Sequence, residues 1–131
     1  MSKISDYVHS ADWKTEKHVP AIELPAGIKV GEMFNVQVTV GKELPHPNTT
    51  EHHIVWIALH FIPSGGKFSV EIGRQELSAH GQSAEGPNKG PAHTDSASLF
   101  RMKTAVGGTL VTTAYCNIHG LWSAEREITL A

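Results

Sequence analysis

Residues 33–40, MFNVQVTV, set Phe34, Val36, Val38 and Val40 in strict alternation with Asn35, Gln37 and Thr39. A period of two marks a strand with one buried face. Residues 54–62, IVWIALHFI, are apolar on both faces and predict an interior strand. KFSVEIGR (67–74) follows the turn sequence PSGG, which predicts a hairpin between these two segments. ASLFRMK (97–103) and TLVTTAYC (109–116) are joined through TAVGG and predict a second hairpin, and EREITL (125–130) predicts a closing strand. Helical signal is confined to one turn near residues 2–9. Short strands punctuated by Gly and Pro turns predict an all-β fold, an antiparallel β-sandwich of about seven strands. The segment 78–96, SAHGQSAEGPNKGPAHTDS, interrupts the pattern as a long loop. A loop of that length in a compact domain is usually functional or mobile.

The 131 residues make one domain, 1–131, with enough material for a real core. Hydrophobic content of 40% and charged content of 18% exclude a disordered chain. A net charge of −2 provides no basic field for nucleic acid or an acidic membrane surface. No apolar run is long enough to span a membrane, and MSKISDYVHS has no signal-peptide core, so a reducing cytoplasm is the expected setting. The single cysteine, Cys116, excludes an intramolecular disulfide and the structural zinc sites that need two or more thiolates.

Chemistry concentrates in the histidines. His18 lies in EKHVP, His46 in PHPN, His52 and His53 in EHHI, and His119 three positions after Cys116. All sit in loops or at strand edges, where a sandwich scaffold presents binding residues. The Cys116–His119 spacing lets both side chains reach one metal from a single turn, and the His46–His52 gap does the same across a loop stiffened by Pro45 and Pro47. Each histidine alone reads as a surface or core residue. Imidazoles joined by a thiolate suit iron, copper or zinc rather than magnesium or calcium. A copper electron carrier of the cupredoxin kind is one candidate, but it needs a weak axial methionine after the last histidine. Here GLWSAEREITLA follows His119, and the last methionine is Met102.

The second candidate is mononuclear iron. EKHVP (16–20), GKELPHPNTTEHHI (41–54), AHGQSAEGPN (79–88) and YCNIHGLW (115–122) together resemble the one-iron, neelaredoxin-type superoxide reductases of the desulfoferrodoxin family. The four blocks stand in family order across nearly the whole chain. The resemblance implies an immunoglobulin-like sandwich and one Fe2+/Fe3+ per chain. It implies four histidine ligands, His18, His46, His52 and His119, with Cys116 as the axial thiolate. It implies that Lys17 draws in superoxide and that Glu16 takes the sixth iron position in the oxidised state. In EHH the family uses the first histidine, a choice that spacing alone leaves open. His9, His53, His60, His80 and His93 match no ligand position, and His53 and His60 read as packing residues. The resemblance further implies rubredoxin as electron donor and a homotetramer. Backbone N–H groups of Ile118 and His119 can point back at the Cys116 sulfur, a device that tunes metal potential.

Overall fold

The structure, a computed structural model, describes residues 2–131. A 3-10 turn at Ile4–Asp6 precedes β1 (Val8–His9), β2 (Pro20–Glu23), β3 (Phe34–Val40), β4 (Ile54–Pro63), β5 (Val70–Glu76), β6 (Ala97–Met102), β7 (Gly108–Cys116) and β8 (Gly120–Ile128). They form two sheets, ordered β1-β8-β7-β4-β5 and β2-β3-β6. The fold is an immunoglobulin-like β-sandwich.

The alternation in β3 has its expected cause. Phe34, Val36, Val38 and Val40 are buried, in one cluster with Ile57, Leu59 and Leu110 of the opposite sheet. The β4 strand is interior, paired with β5 on one side and β7 on the other. Thr112 is wholly buried in this core, and its hydroxyl is satisfied by donating to the Ala58 carbonyl at 2.8 Å.

The structure departs from the sequence reading in three places. Residues 97–103 and 109–116 do not form a hairpin. Instead β6 runs antiparallel to β3, from Phe34↔Met102 to Thr39↔Ala97, while β7 lies between β4 and β8. The TAVGG turn reverses the chain but delivers it to the other sheet. At its end Gly108 lies against the Ile62 carbonyl, where a Cβ would clash, so β7 starts pressed onto β4. Two short strands add to those read from the sequence, and one of them, β1, is parallel to β8. The sandwich is therefore not wholly antiparallel. The last strand also begins at Gly120 rather than 125.

These strands bring four chain segments to one end of the sandwich. They are the stretch leading into β2, the β3–β4 loop, the end of β7 and the turn into β8.

Candidate metal centre

Cys116 ends β7 and is completely buried. The chain turns over Asn117, Ile118 and His119, then returns as β8 through Gly120, whose φ of 80° suits glycine. Cys116 pairs across the ladder with Gly120 and, on its other side, with Ile54. The turn is therefore pinned by main-chain bonds. It brings the His119 Nδ1 to 3.8 Å from the Cys116 Sγ, and the His119 amide donates to that sulfur at 3.4 Å. The Ile118 amide makes no such bond among the described residues.

His46 and His52 come from the β3–β4 loop. Gly41 opens it with φ 81° and lies so close to the His46 amide that no side chain fits. His46 Nδ1 donates to the Pro47 carbonyl at 2.7 Å, which directs its Nε2 lone pair inward. The His52 amide donates to Thr49 Oγ1 at 3.0 Å, and the Thr49 amide donates back to the His52 carbonyl at 3.0 Å. Both Nε2 atoms, of His46 and of His52, are buried with no hydrogen-bond partner among the described residues. Two orphaned imidazole nitrogens in one place are costly unless something accepts their lone pairs.

His18, buried just ahead of β2, completes the group. Its ring stacks on Trp122 at 4.9 Å and 16°, and its Nδ1 donates to Glu16 Oε1 at 2.7 Å. That leaves Nε2 facing His119 Nδ1 at 3.1 Å. The four imidazoles form a ring in the order His18, His46, His52, His119. Neighbouring centroids are 4.7–5.0 Å apart, and His18 and His52 lie 6.1 Å apart across it. Ligating atoms of His18, His52, Cys116 and His119 all fall within 4.8 Å of one another. Imidazole nitrogens gathered with a thiol sulfur are a donor set that fits a soft-to-borderline metal ion.

The electrostatics favour the same use. Burial pulls the His46 pKa down to about 4, so the ring carries no extra proton at neutral pH. Burial first, then the neighbouring His119 and His18, lowers His52 as well. Glu16 is held below the ordinary carboxylate range, mainly by its hydrogen bond with His18. The positive charge of Lys17 reaches all three groups as a smaller contribution. Lys17 is half-buried and has no carboxylate in salt-bridge range among the described residues. His119 and the adjacent Ile118 are exposed, so the ring opens to solvent on this side.

Residues 10–125 match the desulfoferrodoxin family. The chain belongs to that family. It is 50% identical to neelaredoxin of Megalodesulfovibrio gigas over 128 residues, covering 98% of both chains. It is 51% identical to superoxide reductase of Pyrococcus furiosus, covering 97% of this chain and 98% of that one. The solved structure of reduced superoxide reductase (neelaredoxin) from Archaeoglobus fulgidus superposes with a TM-score of 0.89 at 50% identity, over 95% of this chain and 99% of that one.

In this desulfoferrodoxin chain, four of the five residues read as iron ligands, His18, His52, Cys116 and His119, bring ligand atoms together, and the His46 ring adjoins His18 and His52. Glu16 does not. Its carboxylate sits behind His18, on the outer nitrogen and on the His18 amide at 3.0 Å. His53 turns the opposite way from His52, donating from Nδ1 to the Thr49 carbonyl at 2.8 Å and stacking on His80. Met102 is buried in β6 of the other sheet, so it supplies no axial group. Two site residues escaped the sequence reading. Trp122 braces His18 and donates from Nε1 to the His119 carbonyl at 3.2 Å. Asn117 ties the cysteine turn to the histidine loop, accepting from the His53 amide at 2.9 Å and donating to the Glu51 carbonyl at 2.9 Å. Both lie inside the quoted YCNIHGLW block, but no spacing rule singles them out.

Proposed function

We propose that this protein is a superoxide reductase that converts superoxide to hydrogen peroxide at one iron held by His18, His46, His52, His119 and Cys116. The observation that carries the reading is the gathering of ligand atoms of His18, His52 and His119 within 4.8 Å of one another and of the buried Cys116 thiol, with His46 adjoining His18 and His52 and the Nε2 atoms of His46 and His52 buried and unpartnered among the described residues. When bound there, iron supplies one electron per superoxide, passing from Fe(II) to Fe(III). The balance is one superoxide, one electron and two protons in, one hydrogen peroxide out.

The chain's own residues handle the rest. A protein of net charge −2 does not draw in an anion by its overall field, so attraction is local. Lys17 supplies it, as an unpaired cation beside the ring. Lys17 also orients a water that delivers protons from solvent. The His119 N–H on the Cys116 sulfur withdraws electron density from the thiolate and so helps set the potential. Glu16 orients His18 in the arrangement seen here and, on leaving the His18 ring, would be the carboxylate available to hold the iron in its oxidised state. In this reading the electron donor is a rubredoxin-type protein, and the working form is a cytoplasmic homotetramer.

Metal analysis with an optical spectrum tests the site. The expected result is about one iron per chain and, on oxidation, a visible thiolate-to-iron charge-transfer band that Cys116→Ser abolishes. Stoichiometric copper with a blue-copper spectrum would contradict it.

A further inference from the structure

Outside the ligand ring lies a second group of histidines, His53, His80 and His93. It is not a second metal site, because His80 has no free nitrogen. His80 is 5% exposed, with Nε2 at 2.6 Å from the Leu77 carbonyl and Nδ1 at 2.7 Å from Asn48 Oδ1. Its ring lies flat on His53, with centroids 3.6 Å apart at 7°. A neutral ring donates at one of the two acceptors and an imidazolium at both. With a proton on Nδ1 the ring donates to Asn48 and so ties loop to loop.

The residues His80 touches sit beside metal ligands. Asn48 lies between His46 and His52 in the chain, and His53 follows His52 directly. The Asn48 amide is held from both ends, because its Nδ2 donates to the Thr94 carbonyl at 2.8 Å. That bond fixes which end faces His80, since turning the amide over would set two oxygens against each other. The histidine loop thus leans on residues 77–94 at its middle and at its end.

Residues 77–94 are built to be leaned on. The Thr94 amide donates to the Ala79 carbonyl at 2.7 Å, and the Ala79 amide donates to Thr94 Oγ1 at 3.0 Å. The Gly81 amide donates to the Ala92 carbonyl at 3.0 Å, and the Gly90 amide donates to the Gly81 carbonyl at 2.8 Å. Gly81, at φ 82°, leaves no room for a Cβ, which would stand 2.8 Å from His93 Nε2. The long segment is a braced platform rather than a loose lid. Asn88 adds a further hold, accepting from the Thr50 amide at 2.9 Å while its own amide donates to the Glu51 carboxylate.

We propose that His80 is a positioning residue for the iron. From a segment that gives no ligand, it sets Asn48 and His53, and through them the placement of His46 and His52. The role presupposes the iron site proposed above.

The test uses iron(II)-loaded protein as wild type, His80→Phe, Asn48→Ala and the double variant. His80→Phe keeps a ring against His53 and removes both hydrogen bonds. Iron release to excess chelator and the charge-transfer band of the oxidised protein are measured, with far-UV circular dichroism to check folding. Each single substitution should speed release roughly tenfold and shift the band, the usual cost of losing a group that orients a ligand. The double variant should be no worse than either single, because the two residues act through one chain of contacts. Release at the wild-type rate with an unshifted band overturns the proposal, as do single effects that multiply in the double variant. If His80→Phe does not fold, Asn48→Ala, at a half-buried position, carries the test with the same two outcomes. Wild-type protein that binds no iron contradicts the site itself; wild type that binds iron while the variants match it contradicts only the role of His80.

Discussion

Cys116 and His119 reach the candidate metal centre by a different route from His18, His46 and His52. The first two sit on a tight turn whose ends are ladder positions, Cys116↔Gly120 and Ile54↔Cys116. Main-chain pairing places them, and it needs few particular side chains. The three histidines stand on loops, where no ladder is available, and side chains do the placing. Trp122 and Glu16 hold His18, the Pro47 carbonyl holds His46, and Thr49, Asn48 and Asn117 fix the loop that carries His52. Thiolate placement is thus a property of the sheet, and imidazole placement a property of local packing. Damage to the loops should loosen the site while leaving the cysteine turn in place.

Gly41→Ala should test that separation most severely. A side chain there meets the His46 amide at a backbone angle that L residues rarely adopt. The strain should cost about 1–3 kcal/mol, read as a lower Tm. Removing iron with a chelator should lower the Tm of the wild type, because a bound ion stabilises only the folded state. In Gly41→Ala most of that difference should be gone. If the variant keeps the full iron-dependent increment, the loop does not depend on this glycine.

A smaller effect is expected at Lys17, which has no carboxylate in salt-bridge range among the described residues. Lys17→Ala should slow the reaction with superoxide roughly tenfold, within the range that local steering provides. The rate should also lose much of its ionic-strength dependence, since the screened charge is gone. Stopped-flow measurements at several salt concentrations check both. Glu16→Ala should have the smallest effect. It should leave the first step with superoxide nearly unchanged and alter only the spectrum of the oxidised resting protein. Equal effects of the two substitutions on rate would contradict their separate roles.

The same division between ladder and loop governs what the sequence reveals. Alternation in 33–40 and the doubly apolar run in 54–62 identify β3 and β4, because their burial writes itself into the pattern. The β1 and β2 strands are two and four residues long, too short for a period to register, and β2 opens with Pro20 at a sheet edge. The TAVGG segment carries turn chemistry, but turn chemistry specifies a reversal and says nothing of which strand lies beside it. That is why β6 and β7 were expected to pair.

At the site, spacing alone grouped Cys116 with His119 and His46 with His52, and only family resemblance joined them to His18. The choice of His52 over His53 is physical. The His52 ring faces His46 and His119, whereas His53 is turned away onto His80 and the Thr49 carbonyl. The holding groups were invisible for a different reason. Asn48, Asn117 and His80 act through single hydrogen bonds between segments remote in sequence, which leaves no periodic or local mark.

The most direct test of the central claim counts products from a known amount of superoxide. A reductase stops when its one electron is spent, whereas a dismutase is re-reduced by a second superoxide and continues. Pre-reduced protein should consume about one superoxide per iron and release hydrogen peroxide with little dioxygen. Adding a one-electron donor such as reduced rubredoxin should then restart it. Sustained dioxygen evolution over many turnovers per iron, with no donor present, would contradict the account and make this protein a dismutase.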